Sequence, residues 1–500
     1  MTTNFTPARS AFSRVFLIEG RARPDHEPGY KSCLRAGAPD QAFGDVERIE
    51  CPDPDAYGLF VEIGEVKGAI ERATLDLMGR YAADLESDLL RLARARCSAD
   101  VQIHFGECSD PSSFNTFSKA LILENAYLTN WSADELGALG SDENAVVNET
   151  APISATGMYE VLQLTFAERG GDTVVNPLED VVICSTPSCG ECQDEDSGCD
   201  FIVAVSQSTT GSPGTGPEIV YSTDKGATWS SDEIDAMSTG ETTSGVACVG
   251  DYVVVISDSN DALYYKLKST IKAGTGGGWT EVTTGFVAAG SPNDIWSVGN
   301  YAFVVGDGGY VYGTADPTAG VTVLDAGEAT TQDLNKVHAI DKYFAVAVGD
   351  SDAVIYTENQ STWTDLTATG SGHNLSAVWI KSENDFLVGT GSGSLYYTLD
   401  KGTTWTEKTN LPGTYTDIND IAFSTDSVGY LTGVISGPRA RILRTFDGGY
   451  SWTVLPEGVG TMPLADAFEA IAACEDDPNF VVGVGLADDA SDGILVVGQD

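Results

Sequence analysis

Basic side chains are scarce in this chain. Its 500 residues hold 27 Lys and Arg against 74 Asp and Glu, a formal net charge of −47. Divided at residue 180, the first part has 15 basic and 30 acidic residues, and the rest has 12 and 44. A general nucleic-acid-binding surface needs clustered Lys and Arg against phosphate, and neither part supplies one. An acidic excess of this size keeps molecules soluble and apart at high local concentration, and a high-salt habitat would leave the same signature. Histidine is rarer still, at four. Only His338 and His373 fall beyond residue 200, in no metal-ligand spacing. No apolar run approaches the ~20 residues needed to span a bilayer, so membrane insertion is not expected. The start, MTTNFTPARSAFSRVFLIEG, does not read as a secretory signal, because Ser13 and Arg14 interrupt its short apolar stretch. There is no G-x-S-x-G elbow and no Gly loop placed to cradle phosphate ahead of a helix.

What the chain has in abundance is glycine, 55 residues, among tracts of Val, Thr and Tyr that read as strands and tight turns. It also has an internal repeat. Ser222-Thr-Asp224-Lys-Gly226-Ala-Thr228-Trp229, Thr398-Leu-Asp400-Lys-Gly402-Thr-Thr404-Trp405 and Thr445-Phe-Asp447-Gly-Gly449-Tyr-Ser451-Trp452 all fit S/T-x-D-x-G-x-S/T-W. Asp in such a turn accepts backbone N–H groups, and Gly supplies a φ > 0 position that other residues resist. The Trp is expected to pack beneath the hairpin, between neighbouring sheets. Trp279, Val321 (after Thr314-Ala-Asp316) and Trp363 hold the same place in degenerate copies. The anchors are spaced 50, 42, 42, 42 and 47 residues apart, near the length of a four-stranded propeller blade.

The three full copies resemble Asp boxes, the hairpin motif of sialidase-like and related β-propellers. The resemblance implies a propeller over residues 201–500 in which the boxes stabilise turns and bind no ligand. Six anchors give six blades. Aligning the inner strands instead, from FIVAV at Phe201 to AIAACEDDPNFVVG at Ala470, gives seven, which is the preferred count. The last copy ends after three strands, and Asp180-Val-Val-Ile-Cys184 is the expected supplier of the missing one, which would remove the open edges. A sialidase clamps its substrate carboxylate with three arginines from separate blades. Here Arg439, Arg441 and Arg444 fall within one blade, so an enzyme is not expected, and no cofactor is implied.

Residues 1–180 read as mixed and mostly β. Strand candidates are 58–66, 71–80, 100–105, 119–128 and 158–168, with apolar alternation in Val101-Gln-Ile103-His-Phe105. Val66-Lys-Gly-Ala-Ile70 looks like the turn of a long hairpin. One helix is expected over Asp84–Arg96, with Leu85, Leu89 and Leu92 on one face, acids first and arginines last. The order of hairpin, helix, strand pair and the terminal strand MYEVLQLTFAER resembles the tail tube (major tail) proteins of tailed bacteriophages, over residues 15–170. The resemblance implies a virion protein assembled in the host cytoplasm. Its homohexameric rings would stack into a tube beside other tail proteins and let DNA pass without specific binding. The tube lumen would be lined by Glu62, Glu65, Glu71 and Asp76. An ordinary solvated strand face accounts for the same four acids.

Ten cysteines complete the picture. Cys184, Cys189, Cys192 and Cys199 cluster at 184–199, read as a Cys-rich linker over 181–200. A disulfide knot is the main expectation and a four-thiolate zinc site the alternative. Cys33 with Cys51 and Cys97 with Cys108 are further candidate bridges, and Cys248 and Cys474 read as small buried residues.

The expected fold class is therefore mainly β: a β-sandwich or tail-tube-like domain over 1–180 with one helix, then a seven-bladed propeller. The expected function is a tail tube subunit whose outward propeller decorates the tube or binds host-surface glycan. One rival is a carbohydrate-binding or carbohydrate-active propeller with an accessory N-terminal module. Another is an assembly factor similar to the photosystem-stability propellers, which share such boxes but usually carry a lipoprotein signal or transit segment.

Overall fold

The computed structural model describes residues 12–19, 29–30, 35–36, 40–43, 47–52, 60–66, 70–81, 99–106, 119–128, 132–133, 147–155 and 157–162. From there on it describes 164–169, 176–184, 198–206, 217–238, 240–366, 369–370, 372–409, 411–436, 439–455, 465–475, 477–487 and 493–499. The chain divides into two compact units, Met1–Gln163 and Leu164–Asp500. Strands make up nearly all of the described regular elements, and no described helix is long and apolar enough to cross a membrane.

In the first unit, five strands occupy the positions anticipated from sequence: Phe60–Val66, Ile70–Tyr81, Ala99–Gly106, Lys119–Leu128 and Gly157–Leu162. Val101 and Ile103 are buried as their alternation requires, but Gln102 between them is buried too, so this strand is covered on both faces. Among the described residues, the two arms of the expected long hairpin do not pair with each other. Phe60–Val66 pairs with Glu47–Pro52 in a sheet of two strands, whereas Ile70–Tyr81 pairs along its length with Val147–Ala155 in a ten-stranded sheet. A 12-residue strand offers more ladder to a nine-residue partner than to the seven residues before its turn. The expected helix over 84–96 lies outside the described residues.

Among the described residues, the second unit holds seven four-stranded antiparallel sheets in sequence order. Their first strands are Leu178–Ile183, Gly245–Val249, Pro292–Val298, Leu334–Ala339, Leu375–Ser382, Tyr415–Phe423 and Ala465–Ala473. Each lies against the first strand of the next sheet, and Leu178–Ile183 lies against Ala465–Ala473, so the sheets form a closed ring. Second strands such as Ile202–Ser206 and Ala345–Gly349 are buried at every position. Their Val- and Ala-rich sequence fits, since both faces meet a neighbouring sheet.

The ring closes differently from the sequence expectation. Leu178–Ile183 is the first strand of the first sheet, and the strand that completes the seventh is Thr165–Glu168, paired with Gly493–Gln499. The single strand expected over 158–168 is thus two strands. Gly157–Leu162 joins the first unit and Thr165–Glu168 the second, which moves the boundary from 180 to 163/164. The physical reason is edge satisfaction: Thr165–Glu168 covers the otherwise open edge of Gly493–Gln499 in the seventh sheet.

Candidate functional site

The three turn motifs adopt one geometry. In the first, the Ser222 hydroxyl donates to Asp224 Oδ1 at 2.8 Å and accepts the Gly226 N–H at 2.9 Å. Asp224 in turn accepts the Thr228 N–H at 2.8 Å and its hydroxyl at 2.6 Å. Thr398, Asp400, Gly402 and Thr404 repeat every one of these bonds, as do Thr445, Asp447, Gly449 and Ser451. The glycines take φ of 75°, 71° and 90°. The residue before each is also left-handed: Lys225 at 57°, Lys401 at 56° and Gly448 at 72°. Both lysines reach the preceding sheet. Lys225 meets Asp477 at 2.6 Å, and Lys401 meets Glu358.

Burial alone would raise the Asp224 and Asp400 carboxyls, but the hydrogen bonds in each turn outweigh it and hold both below the usual value. At Asp447 burial wins over the same bonds and the carboxyl is raised. The anchors pack where expected. Trp229, Trp279, Val321, Trp363, Trp405 and Trp452 each join an apolar cluster between consecutive sheets. At Trp279 the missing box is replaced by an ion pair: Asp232 of the first sheet accepts the indole N–H at 3.1 Å and the buried Lys266 ammonium at 2.5 Å. In each turn the Asp carboxylate and the first Ser or Thr hydroxyl are engaged by groups of the same turn.

The first strands enclose a central channel of about 1040 Å³. Each has a second strand on one side and only the channel on the other, so its channel-side N–H groups need acceptors from elsewhere. Asp180 accepts from Val246, Asp294 from Val337 and Asp420 from Ile471, each at 2.8 Å and each on the first strand of the next sheet. His338 Nδ1 does the same for the Ile380 N–H at 3.2 Å. A register shift sits just before each of these aspartates and before Lys336, and it turns the side chain toward its neighbour.

Lys336 lies amid the three carboxylates, 3.4 Å from Asp294. Burial would depress its ammonium, but Asp294, Asp420 and Asp180 hold it above the ordinary value. Burial pushes Asp180 up to about 7 and Asp420 up to about 6, with Lys336 opposing in both cases. Two residues further along the strands, Trp296, His338 and Trp379 form an aromatic wall. Ring centroids lie 4.4 Å apart from Trp296 to His338 and 4.0 Å apart from His338 to Trp379. Burial pushes the His338 imidazole down to about 3, so it is neutral at neutral pH.

The remaining sequence-predicted residues are placed as follows. Cys184 and Cys199 do not join one knot: they form disulfides with Cys248 and Cys474, at Cα separations of 5.6 and 5.9 Å. The expected cluster is corrected accordingly, and so is the reading of Cys248 and Cys474 as merely small. Strands that bring the paired α-carbons within bridging distance decide the partners. With two thiols so engaged the four-thiolate zinc site falls, and no described group of His, Cys, Asp or Glu could hold a metal. Cys33, Cys97, Cys108, Cys189 and Cys192 lie outside the described residues.

Glu62 and Glu65 stand opposite Glu50 and Arg48 in the two-stranded sheet, and Asp76 opposite Pro152 in the larger one, so the four lumen candidates are split between two sheets. Glu71 lies on the same strand as Asp76. Arg439, Arg441 and Arg444 share one strand, and none borders the channel. Arg444 is buried, with its guanidinium donating to the Pro478 carbonyl of the seventh sheet. The channel residues Asp180, Asp294, Lys336, His338 and Asp420 were not anticipated. The signal for the four charged ones is a recurrent apolar–polar–Asp/Lys–apolar tetrad, as in Leu178-Glu-Asp-Val181, Pro292-Asn-Asp-Ile295, Leu334-Asn-Lys-Val337 and Ile418-Asn-Asp-Ile421, and it does not extend to His338.

No protein-family model matches the sequence, and no curated protein sequence does either. Solved structures do match. YCF48 bound to D1 peptide aligns at TM-score 0.50 and 15% identity over 68% of this chain and 98% of that one. YCF48 from Cyanidioschyzon merolae aligns at 0.50 and 16%, over 67% and 99%. Virginiamycin B lyase from Staphylococcus aureus, with quinupristin, aligns at 0.50 and 9%, over 68% and 100%. The matched share equals the second unit in size, and identities this low speak to fold alone. The chain is mainly β, and its closed ring of four-stranded sheets is a β-propeller-like fold similar to those of YCF48 and virginiamycin B lyase.

Proposed function

We propose that the chain is a structural protein whose second unit, a seven-bladed Asp-box propeller, is a non-catalytic binding or display module. The observation that carries this reading is the state of the channel acids. Asp180, Asp294 and Asp420 are each engaged in holding the next sheet's edge, and His338 lends its acceptor nitrogen to Ile380. A general base needs an accessible lone pair near ambient pH, and the neutral His338 has committed its own.

For the first unit the proposal is a tail-tube role, with hexameric rings stacked into a DNA-conducting tube and the propeller facing outward. Its support is the order of sequence elements and the acidity, since like charge keeps DNA from adhering to a lumen. A head-to-tail interface that closes by rotation gives rings. Negative-stain electron microscopy of the purified full chain over a range of concentration and salt tests it. Rings or tubes bearing regular knobs are expected, and isolated particles under every condition would overturn the tube.

A further inference from the structure

The channel carries more negative charge than it neutralises, and it carries it beside an aromatic wall. Asp180, Asp294 and Asp420 share one internal cation, Lys336, whose ammonium is nearest Asp294. Trp296 and Trp379 stand two residues nearer the channel mouth, roughly 7 Å at the usual strand rise. Both border the channel and are only partly buried. Between them His338 is 4% exposed. Its Nδ1 accepts the Ile380 N–H, so Nε2 carries the ring proton, and Nε2 has no hydrogen-bond partner among the described residues. That N–H opens on the channel and offers a donor to an acceptor on a ligand. At the mouth Leu267 and Ile340 are exposed, at 41% and 39%, and both border the channel.

We infer that the channel receives a lysine side chain presented by a peptide segment of a partner. Its ammonium would sit at the level of Asp180 and Asp420, its alkyl chain would run along Trp296 and Trp379, and its carbonyl would face His338. The dimensions agree: a lysine side chain spans about the distance between the acid level and the aromatic wall. An ammonium neutralises carboxylates left short of countercharge, and the alkyl chain buries apolar surface along the two indoles. A neutral sugar would use the wall and leave the charge excess unanswered. The net charge of −47 favours the approach of cations over anions. Apolar flanking residues on the segment would cover Leu267 and Ile340. The inference rests on the reading of this unit as a binding module and is independent of tube formation.

Calorimetric titration of the full chain tests it, with acetyl-Gly-Lys-Gly-amide, the same peptide acetylated at lysine, and 1,5-diaminopentane. The lysine peptide is expected to bind saturably and the acetylated one at least tenfold more weakly. The charged and titratable groups that line the channel are Asp180, Asp294, Lys336, His338 and Asp420 at depth, with Asp251, Lys268, Lys272 and Glu475 further out; Glu469 acts on Lys336 from behind, and a bound cation favours the ionised carboxylates. Proton release on binding is therefore expected at pH 6.5, measured in two buffers of different ionisation enthalpy. Trp379→Ala should weaken binding tenfold or more, and Trp379→Phe, which keeps a ring, should fall between. Equal binding of the acetylated peptide, indifference to both Trp379 variants, or binding of the diamine without the peptide would each overturn the inference. Rings that still form while no peptide binds would remove the ligand and leave the display reading intact.

Discussion

Cys199 is joined to Cys474 across 275 positions of sequence, and Cys184 to Cys248 across 64. The first bond ties the first sheet to the seventh and the second ties it to the second sheet. The first sheet is therefore fastened to both of its neighbours in the ring.

Reduction should loosen that closure. Removing a native disulfide typically costs about 2–5 kcal/mol, so Cys199→Ser or Cys184→Ser is expected to lower the denaturation midpoint of the second unit. The comparison is guanidinium unfolding with and without reductant. An unchanged midpoint on full reduction, with loss of the bonds verified by peptide mapping, would show that the ring does not need them.

Asp400→Ala removes acceptors from the Thr404 N–H and from the Thr398 and Thr404 hydroxyls. By analogy with a lost cap the cost is about 1–2 kcal/mol. Because the Asp224 and Asp400 carboxyls are held below 3.8, their contribution is present above that value and disappears as pH falls through the folded pKa. Asp447 runs the other way: raised by burial, it favours the fold more as pH falls. Melting of the single alanine variants between pH 3 and 7 checks both signs. Equal pH dependence for Asp400→Ala and Asp447→Ala would contradict the assignment.

Lys336→Met should leave three channel carboxylates without their cation. Breaking a buried ion pair costs roughly 3–5 kcal/mol, and the loss should be greatest at high pH. Asp180 and Asp420 already sit at about 7 and about 6. Raised values mean that protonation stabilises the fold, with that stability lost as pH climbs through 6 to 7. Urea denaturation at pH 5 and pH 8 is the measurement, and a variant equally destabilised at both would count against the charge argument.

Trp452 is 4% exposed and sits between the fifth and sixth sheets, so Trp452→Ala is expected to cost about 3–5 kcal/mol. Trp405, only partly buried at its own junction, should cost less. Thermal melts of the two variants side by side decide the order.

Much of the second unit was legible from local chemistry. Ser222 to Trp229 and its two copies specify their turn through side chains within eight residues of one another, and the spacing of the tryptophans reports the sheet period. Those are short-range and periodic signals, and a linear pattern carries them. The strands of the first unit were legible in the same way, from alternation in segments such as Lys119–Leu128.

Which strand pairs with which was not legible. Thr165–Glu168 reads as the end of one strand with Gly157–Leu162, yet it completes a sheet whose other strands lie some three hundred residues on. Phe60–Val66 and Ile70–Tyr81 look like a hairpin and pair elsewhere. The cysteines at 184 and 199 look like one cluster, and the fold sends them to opposite neighbours. The sequence by itself determined the turns, the repeat and the apolar strands, because these depend on residues close in the chain. Only the tertiary structure decided the closing strand, the disulfide partners and the channel of Asp180, Asp294, Lys336 and Asp420. Each of these depends on which edges remain unsatisfied once the ring has formed, a condition that no local stretch of sequence expresses.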